Sequence, residues 1–187
     1  MKVLPLDLIR QRTGSLHQQI ESSFDLNAAL GSVEDYRLLL SRYLAVYRPF
    51  EDSLRVCLGD SLGIASWSYR SKITSLEQDL QSLGTVEAPQ TSPCLILLDS
   101  LDAALGALYV TEGSSLGGQV IYREIQHRLH LDRESGAGFF FGDGPQTGTR
   151  WREFTDMLNQ HVSQPENAAT AACRMFATFA RAIHGQR

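Results

Sequence analysis

Apolar residues recur every three or four positions along almost the whole of this chain, and the every-second-residue alternation of a half-buried strand is nearly absent. That periodicity predicts an all-α protein. A first helix is expected over about Leu6–Phe24, with Ile9, Thr13, Leu16, His17, Ile20 and Phe24 on one stripe. Ser32 followed by Asp35 reads as a capping box. It opens a helix that buries Tyr36, Leu39, Leu40, Tyr43, Leu44 and Tyr47. Pro49 is expected to end or kink that helix, with Phe50, Leu54 and Leu58 on a further stretch. Another helix, about Ser71–Leu83, should stop at Gly84. Residues 85–93, with Pro89 and Pro93, read as a surface connection. A long helical pattern follows over about Cys94–Leu131, interrupted near Gly113–Gly118. The Gly-rich segment Glu134–Gly148 is expected to be an ordered loop. Two last helices are predicted, about Thr149–Val162 and Pro165–His184, with Ser163 and Glu166 as a second capping box.

The chain has 187 residues, about one domain's worth, with no repeat or linker, so one domain over residues 1–187 is the expectation. Seventeen Lys and Arg against 21 Asp and Glu leave a net charge of −4, which argues against a general nucleic-acid binder. Cys57, Cys94 and Cys173 are widely spaced, without a CxxC pair or zinc-like His/Cys spacing, and are expected to be reduced thiols in a cytoplasmic protein. The most apolar window, Cys94–Val110, carries Asp99 and Asp102 and is shorter than the ~20 residues a bilayer needs, so no membrane span is expected. No Gly-x-Ser-x-Gly elbow, phosphate loop, dinucleotide fingerprint or HExxH occurs, which leaves hydrolase and nucleotide chemistry unsupported.

Two oddities remain. Gly113, Gly117 and Gly118 sit inside one apolar helix, where together they cost roughly 3 kcal/mol of helix propensity relative to alanine. Glycine there either lets another helix pack closely or lets a flat ligand approach the backbone, and the residues alone leave both open. The other is His17 on the apolar stripe of the first helix. It is either a hydrogen-bonded core residue or a ligand. Glu21, at i+4, can orient or polarise its imidazole, and Arg10, two turns earlier, can meet an anionic edge. A neutral imidazole with a carboxylate behind it can hold iron from one side. His127, His130, His161 and His184 read as polar-face or helix-end residues, and the tyrosine row Tyr36, Tyr43, Tyr47 reads as core. Arg150 and Arg152 flank Trp151 near a helix start, where bare cations point either to an anionic partner or to a solvated face.

Arg10–Glu21 resembles the proximal helix of heme oxygenases, and Leu105–Val120 resembles their distal helix. Phe140-Phe141-Gly142-x-Gly144 and Thr147-Gly148-x-x-Trp151-x-x-Phe154 are most similar to the bacterial branch associated with bacteriophytochromes. The resemblance runs in the same order over most of the chain. It implies a single-domain helical fold that holds heme b, both substrate and cofactor, between a proximal N-terminal helix and a kinked Gly-rich distal helix. His17 would take the axial position on the iron and Glu21 that of its hydrogen-bonding carboxylate. Arg10, and Arg152 less directly, match positions that contact the heme propionates, and Gly113, Gly117 and Gly118 match the glycines that lie over the porphyrin.

Many family members carry an aspartate after the first distal glycine, whereas this chain has Ser114, which supplies no fixed charge. Gly113, Ser114, Gly117 and Gly118 are the implied catalytic set, with Ser115, Gln119 or water as other proton carriers. The resemblance implies that heme is degraded with O₂ to biliverdin (expected IXα), CO and Fe²⁺. Electrons would come from a ferredoxin or similar donor with its reductase, docked on a basic surface including Arg123, Arg128, Arg150 and Arg152. Biliverdin would pass to a bacteriophytochrome. A heme carrier without catalysis is the alternative the serine leaves open, and a plain helical interaction module is another.

Overall fold

This computed structural model describes residues 4–60, 62–84 and 97–184. Helix α1 is Pro5–Ser23, α2 is Leu26–Ala29 and α3 is Val33–Leu58. A short hairpin follows, β1 Gly63–Ile64 and β2 Trp67–Ser68, antiparallel with Ile64 opposite Trp67. Then come α4 Ile73–Ser82, α5 Leu101–Leu129, α6 Gly138–Phe141, a 3₁₀ turn at Gly144–Gln146, α7 Thr147–His161 and α8 Pro165–His184. The all-α expectation holds, with the hairpin and the short α2 and α6 as additions. The expected connection at 85–93 and the expected helical start at Cys94 lie outside the described residues.

Local chemistry explains most boundaries. Pro5 occupies the first turn of α1, where a missing N–H costs nothing. Ser32 accepts a hydrogen bond from the Asp35 amide and caps α3, as its spacing predicts. Gly59, at φ 76°, closes that helix. Ser100 caps α5 at Leu101 by accepting from the Ala103 amide.

Three expectations are corrected. Pro49 neither ends nor divides α3, which runs unbroken to Leu58. Tyr47, Phe50 and Leu54 are buried in one core on both sides of the proline. Each such burial contributes about 1.5–3 kcal/mol, enough to outweigh the ~3 kcal/mol proline penalty. The segment Glu134–Gly148 is not simply a loop. Asp79 accepts from the Gly138 and Phe139 amides at 2.8 and 2.7 Å and so anchors the first turn of α6. Ser163 and Glu166 form no capping box. Ser163 instead donates to Asp102 of α5 through its amide at 2.7 Å and its hydroxyl at 2.9 Å, and the Gln164 amide donates to the same carboxylate at 3.2 Å. A residue of α5 therefore holds the two residues that lead into α8.

α8 is the hub, packed against α5, α1 and α3. Its contact with α5 is built from small, fully buried residues, Ala104 and Ala107 on one side and Ala168, Ala169 and Ala172 on the other. Gly106 lies in this interface, and an added Cβ would stand 2.0 Å from the Ala168 carbonyl oxygen. The backbones can approach this closely only because that side chain is absent.

Candidate active site

α1, α3, α5 and α8 wall a cavity of about 640 Å³, within the range of small-molecule sites (roughly 300–1,000 Å³). α1 contributes His17, Ile20 and Glu21; α5 contributes Tyr109, Val110 and the run from Gly113 to Gly118. Tyr43 and Tyr47 come from α3, Phe176 and Phe179 from α8, and Phe139 and Phe140 from α6.

The helical spacing that places Glu21 one turn after His17 delivers its carboxylate to the ring: Nδ1 lies 3.4 Å from Glu21 Oε2. That partner leaves Nε2 as the nitrogen for a ligand. His17 is not a core histidine, since its side chain is 57% exposed and meets Phe176 edge-on at 5.8 Å. The expected stripe on α1 therefore divides, with Ile9 and Thr13 buried in the core and His17 turned to the cavity.

The glycines of α5 do not behave alike. Gly117 has nothing within 4 Å of where a Cβ would stand, while Gly113 would meet Trp151 at 3.3 Å and Gly118 would meet the Phe140 carbonyl at 3.5 Å. All three border the cavity, and at Gly117 α5 offers bare backbone to open space. The helix is continuous through them, with no break at 113–118. Gln119 donates to the Phe141 carbonyl at 2.8 Å, tying α5 to α6.

Polar groups on this wall are few. Ser114 donates to the Thr111 carbonyl at 2.8 Å, and the Tyr47 hydroxyl lies beside its side chain. Burial pushes the Tyr43 hydroxyl up to about 12 and raises Tyr47 further, so both remain O–H donors at neutral pH. The tyrosine row is core, as expected, but two of its three members also wall the cavity. Lys72, buried just before α4, also reaches the wall.

Other expected site residues stand apart. Arg10 is exposed on α1 and Arg152 is exposed on α7, where it donates to Thr149 at 3.3 Å; neither lines the cavity. The anionic partner expected for Arg150 is within the chain. Its guanidinium lies 3.5 Å from Asp143 and donates to the Ser68 carbonyl, and its side chain is only 13% exposed. Arg150 therefore leaves the proposed basic surface, and Arg128 is paired with Glu124 at 2.8 Å. His127 and His130 are exposed, His161 faces the Met157 carbonyl at 3.0 Å, and the side chain of His184 lies outside the described residues. Lys72 and Glu112 were not singled out from sequence, because both owe their position to residues distant in the chain. Among the described residues no cluster of three or more His, Cys, Asp or Glu could hold a metal ion, and no helix is long and apolar enough to cross a membrane.

The cavity has the features a flat iron-bearing ring requires: one available imidazole, an apolar interior and a glycine surface that a Cβ would fill. The heme oxygenase family profile matches residues 6–184. A heme oxygenase of Xanthomonas campestris pv. campestris is 32% identical over 155 residues, covering 79% of this chain and 86% of that protein. The fold matches crystal structures of heme oxygenase 2 from Chlamydomonas reinhardtii without heme (TM-score 0.74, 16% identity, 99% of this chain and 98% of that one). It also matches the NO- and CO-bound heme oxygenase of Neisseria meningitidis (0.74, 21%, 98% and 92%) and the heme oxygenase of Leptospira interrogans (0.77, 17%, 98% and 100%).

Proposed function

Because this chain belongs to the heme oxygenase family and is a heme-degrading enzyme of that family, we propose that heme lies in the cavity with Nε2 of His17 toward its iron and its face against Gly113, Gly117 and Gly118. The observation that carries this reading is the pairing of His17 and the open backbone at Gly117 on the walls of one cavity. The bound heme supplies an iron that takes O₂ and the ring carbon that is oxidised.

The chain's own residues do the rest. Glu21 holds a proton at Nδ1 of His17, fixing the tautomer and making Nε2 the stronger donor. Gly113, Gly117 and Gly118 would let the ring approach the backbone of α5, and Trp151, Phe139 and Phe140 would flank it with apolar surface. Tyr47 and Ser114 hold hydroxyl protons beside the glycine face. Arg10, exposed two turns (about 10 Å) along α1 from His17, and Arg152 are the cations this reading assigns to the acidic edge of the ring. Anchoring of that kind would select the ring position that opens, and we assign the product as biliverdin IXα with CO and Fe²⁺.

Electrons come from outside, from a ferredoxin-like donor, with exposed Arg123 and Arg152 as cations for docking. The Phe140–Gly144 and Thr147–Phe154 motifs support delivery of biliverdin to a bacteriophytochrome, in the cytoplasm. Hemin titration tests the site directly. The wild type should give a Soret band of a histidine-ligated complex that is lost on adding reductant and O₂, with product identity read by chromatography. His17→Ala should lose that histidine-ligated spectrum and weaken hemin binding by ~100-fold or more, the scale of a lost ligand shell; an unchanged spectrum would refute the axial assignment.

A further inference from the structure

Glu51, Asp79, Asp102 and Glu112 are all buried acidic residues. Three of them are fully engaged. Glu51 accepts from the Tyr69 hydroxyl, the Ser71 hydroxyl and the Lys72 amide at 3.1, 2.7 and 2.8 Å. Asp79 and Asp102 accept from the amides that open α6 and α8. Glu112 differs. It is 5% exposed, and its Oε1 is sealed from solvent with no hydrogen-bond partner among the described residues. A buried carboxylate oxygen without a donor is costly, on the order of 1–3 kcal/mol or more, and such a group calls for a small polar guest or a function.

Its surroundings point toward the cavity. After burial itself, Lys72 acts most strongly on Glu112, yet among the ion pairs of the described residues none joins the two. Lys72 lies on the cavity wall. From α3, Tyr47 and Glu51 sense the same region, and Tyr47 lies beside Ser114 on the glycine face. From the chain before α4 come Tyr69 and Arg70, from the turn before α7 Asp143, and from α7 Arg150. Arg70 and Arg150 are both ion-paired to Asp143, and among the described residues that leaves Lys72 as the cation near Glu112 that lines the cavity.

We propose that Glu112 is a positioning residue for protons on the glycine face: it binds a water through Oε1, shared with Lys72 Nζ, and supplies the fixed charge that Ser114 lacks. The charge acts through Lys72 and the neighbouring Tyr47 and Ser114 hydroxyls rather than by contact with the ring. This inference rests on heme occupying the cavity as read above. Because its folded carboxyl is raised by burial above the ordinary 4.5, the folded state binds more protons than the unfolded one above about that pH. Folding therefore loses stability as pH rises through the interval between the two values.

Two measurements test it, one without heme. In heme-free protein, Glu112→Gln should melt no lower than wild type near pH 4, and its advantage should open as pH rises above about 4.5. Parallel melting curves would overturn the buried, unpaired carboxylate. In the hemin complex, Glu112→Gln should bind hemin as wild type does, because Glu112 is outside the cavity lining. The pH midpoint of its acid-to-alkaline colour change should fall by about one unit, a tenfold change in that equilibrium, because a nearby negative charge is gone. Lys72→Met, which removes the positive charge, should move the midpoint up, and it serves as the second variant should the first fold poorly. Midpoints unmoved in both variants would overturn the proposal. Failure of the wild type to bind hemin would instead overturn the reading of the cavity, and the heme-free melting curves would still report on Glu112.

Discussion

The two halves of α5 use the same residue for opposite ends. In the first half, Gly106 lies against α8, where a Cβ would stand 2.0 Å from the Ala168 carbonyl oxygen. In the second half, Gly117 faces open space, with nothing within 4 Å. The first glycine brings two backbones together, and the second keeps a surface bare. Each lowers helix propensity by a similar amount, about 1 kcal/mol, so propensity cannot tell them apart. What distinguishes them is the partner. The first half is lined by buried Ala104, Leu105 and Ala107, whereas the second borders the cavity and leaves Leu116 and Val120 at 41% and 54% exposure. Close approach is what glycine in a helix signals, and the identity of the approaching body belongs to the tertiary structure.

Three substitutions sharpen or break that contrast. Gly106→Ala should have the largest effect on folding. It forces backbone apart in a filled interface, for a loss of about 3 kcal/mol or more and a melting midpoint lowered by roughly 10 °C, read in thermal and denaturant unfolding. A neutral result would mean that α5 and α8 are not in this contact. Asp102→Ala, in the same half, removes the acceptor for Ser163 and Gln164 and should cost about 2 kcal/mol, with hydrogen exchange fastest at the start of α8. Gly117→Ala should do the reverse of Gly106→Ala. The heme-free protein should gain about 0.5–1 kcal/mol from helix propensity, while hemin binding weakens roughly tenfold, about 1.4 kcal/mol, as the methyl enters the ring's space. Equal hemin affinity with raised stability would show that the glycine face is not where the ring lies.

The buried acids repeat the lesson. Asp79 and Asp102 hold helix starts that lie 59 and 61 positions away, and Glu51 gathers the chain between the hairpin and α4. None of these partnerships leaves a mark in the residues adjoining the acid. The Ser163–Glu166 spacing has the form of a local capping box, yet the Ser163 hydroxyl is taken by Asp102, whose buried carboxylate satisfies two amides and a hydroxyl at once.

The amino-acid order alone determined whatever depends on neighbours within about one helical turn: the all-helical periodicity, the cap at Ser32, the glycine stop after α4, and the His17–Glu21 pair whose 3.4 Å approach follows from four-residue spacing. It also marked Gly113, Gly117 and Gly118 as costly and so in need of a reason. Only the packed molecule decided which glycine meets a helix and which meets open space, that α3 passes through Pro49, that Asp143 neutralises Arg150, and that Glu112 is buried without a donor. Each of these depends on what a distant segment brings to the spot, and the free energy of burial outweighs the local preferences on which a linear reading rests.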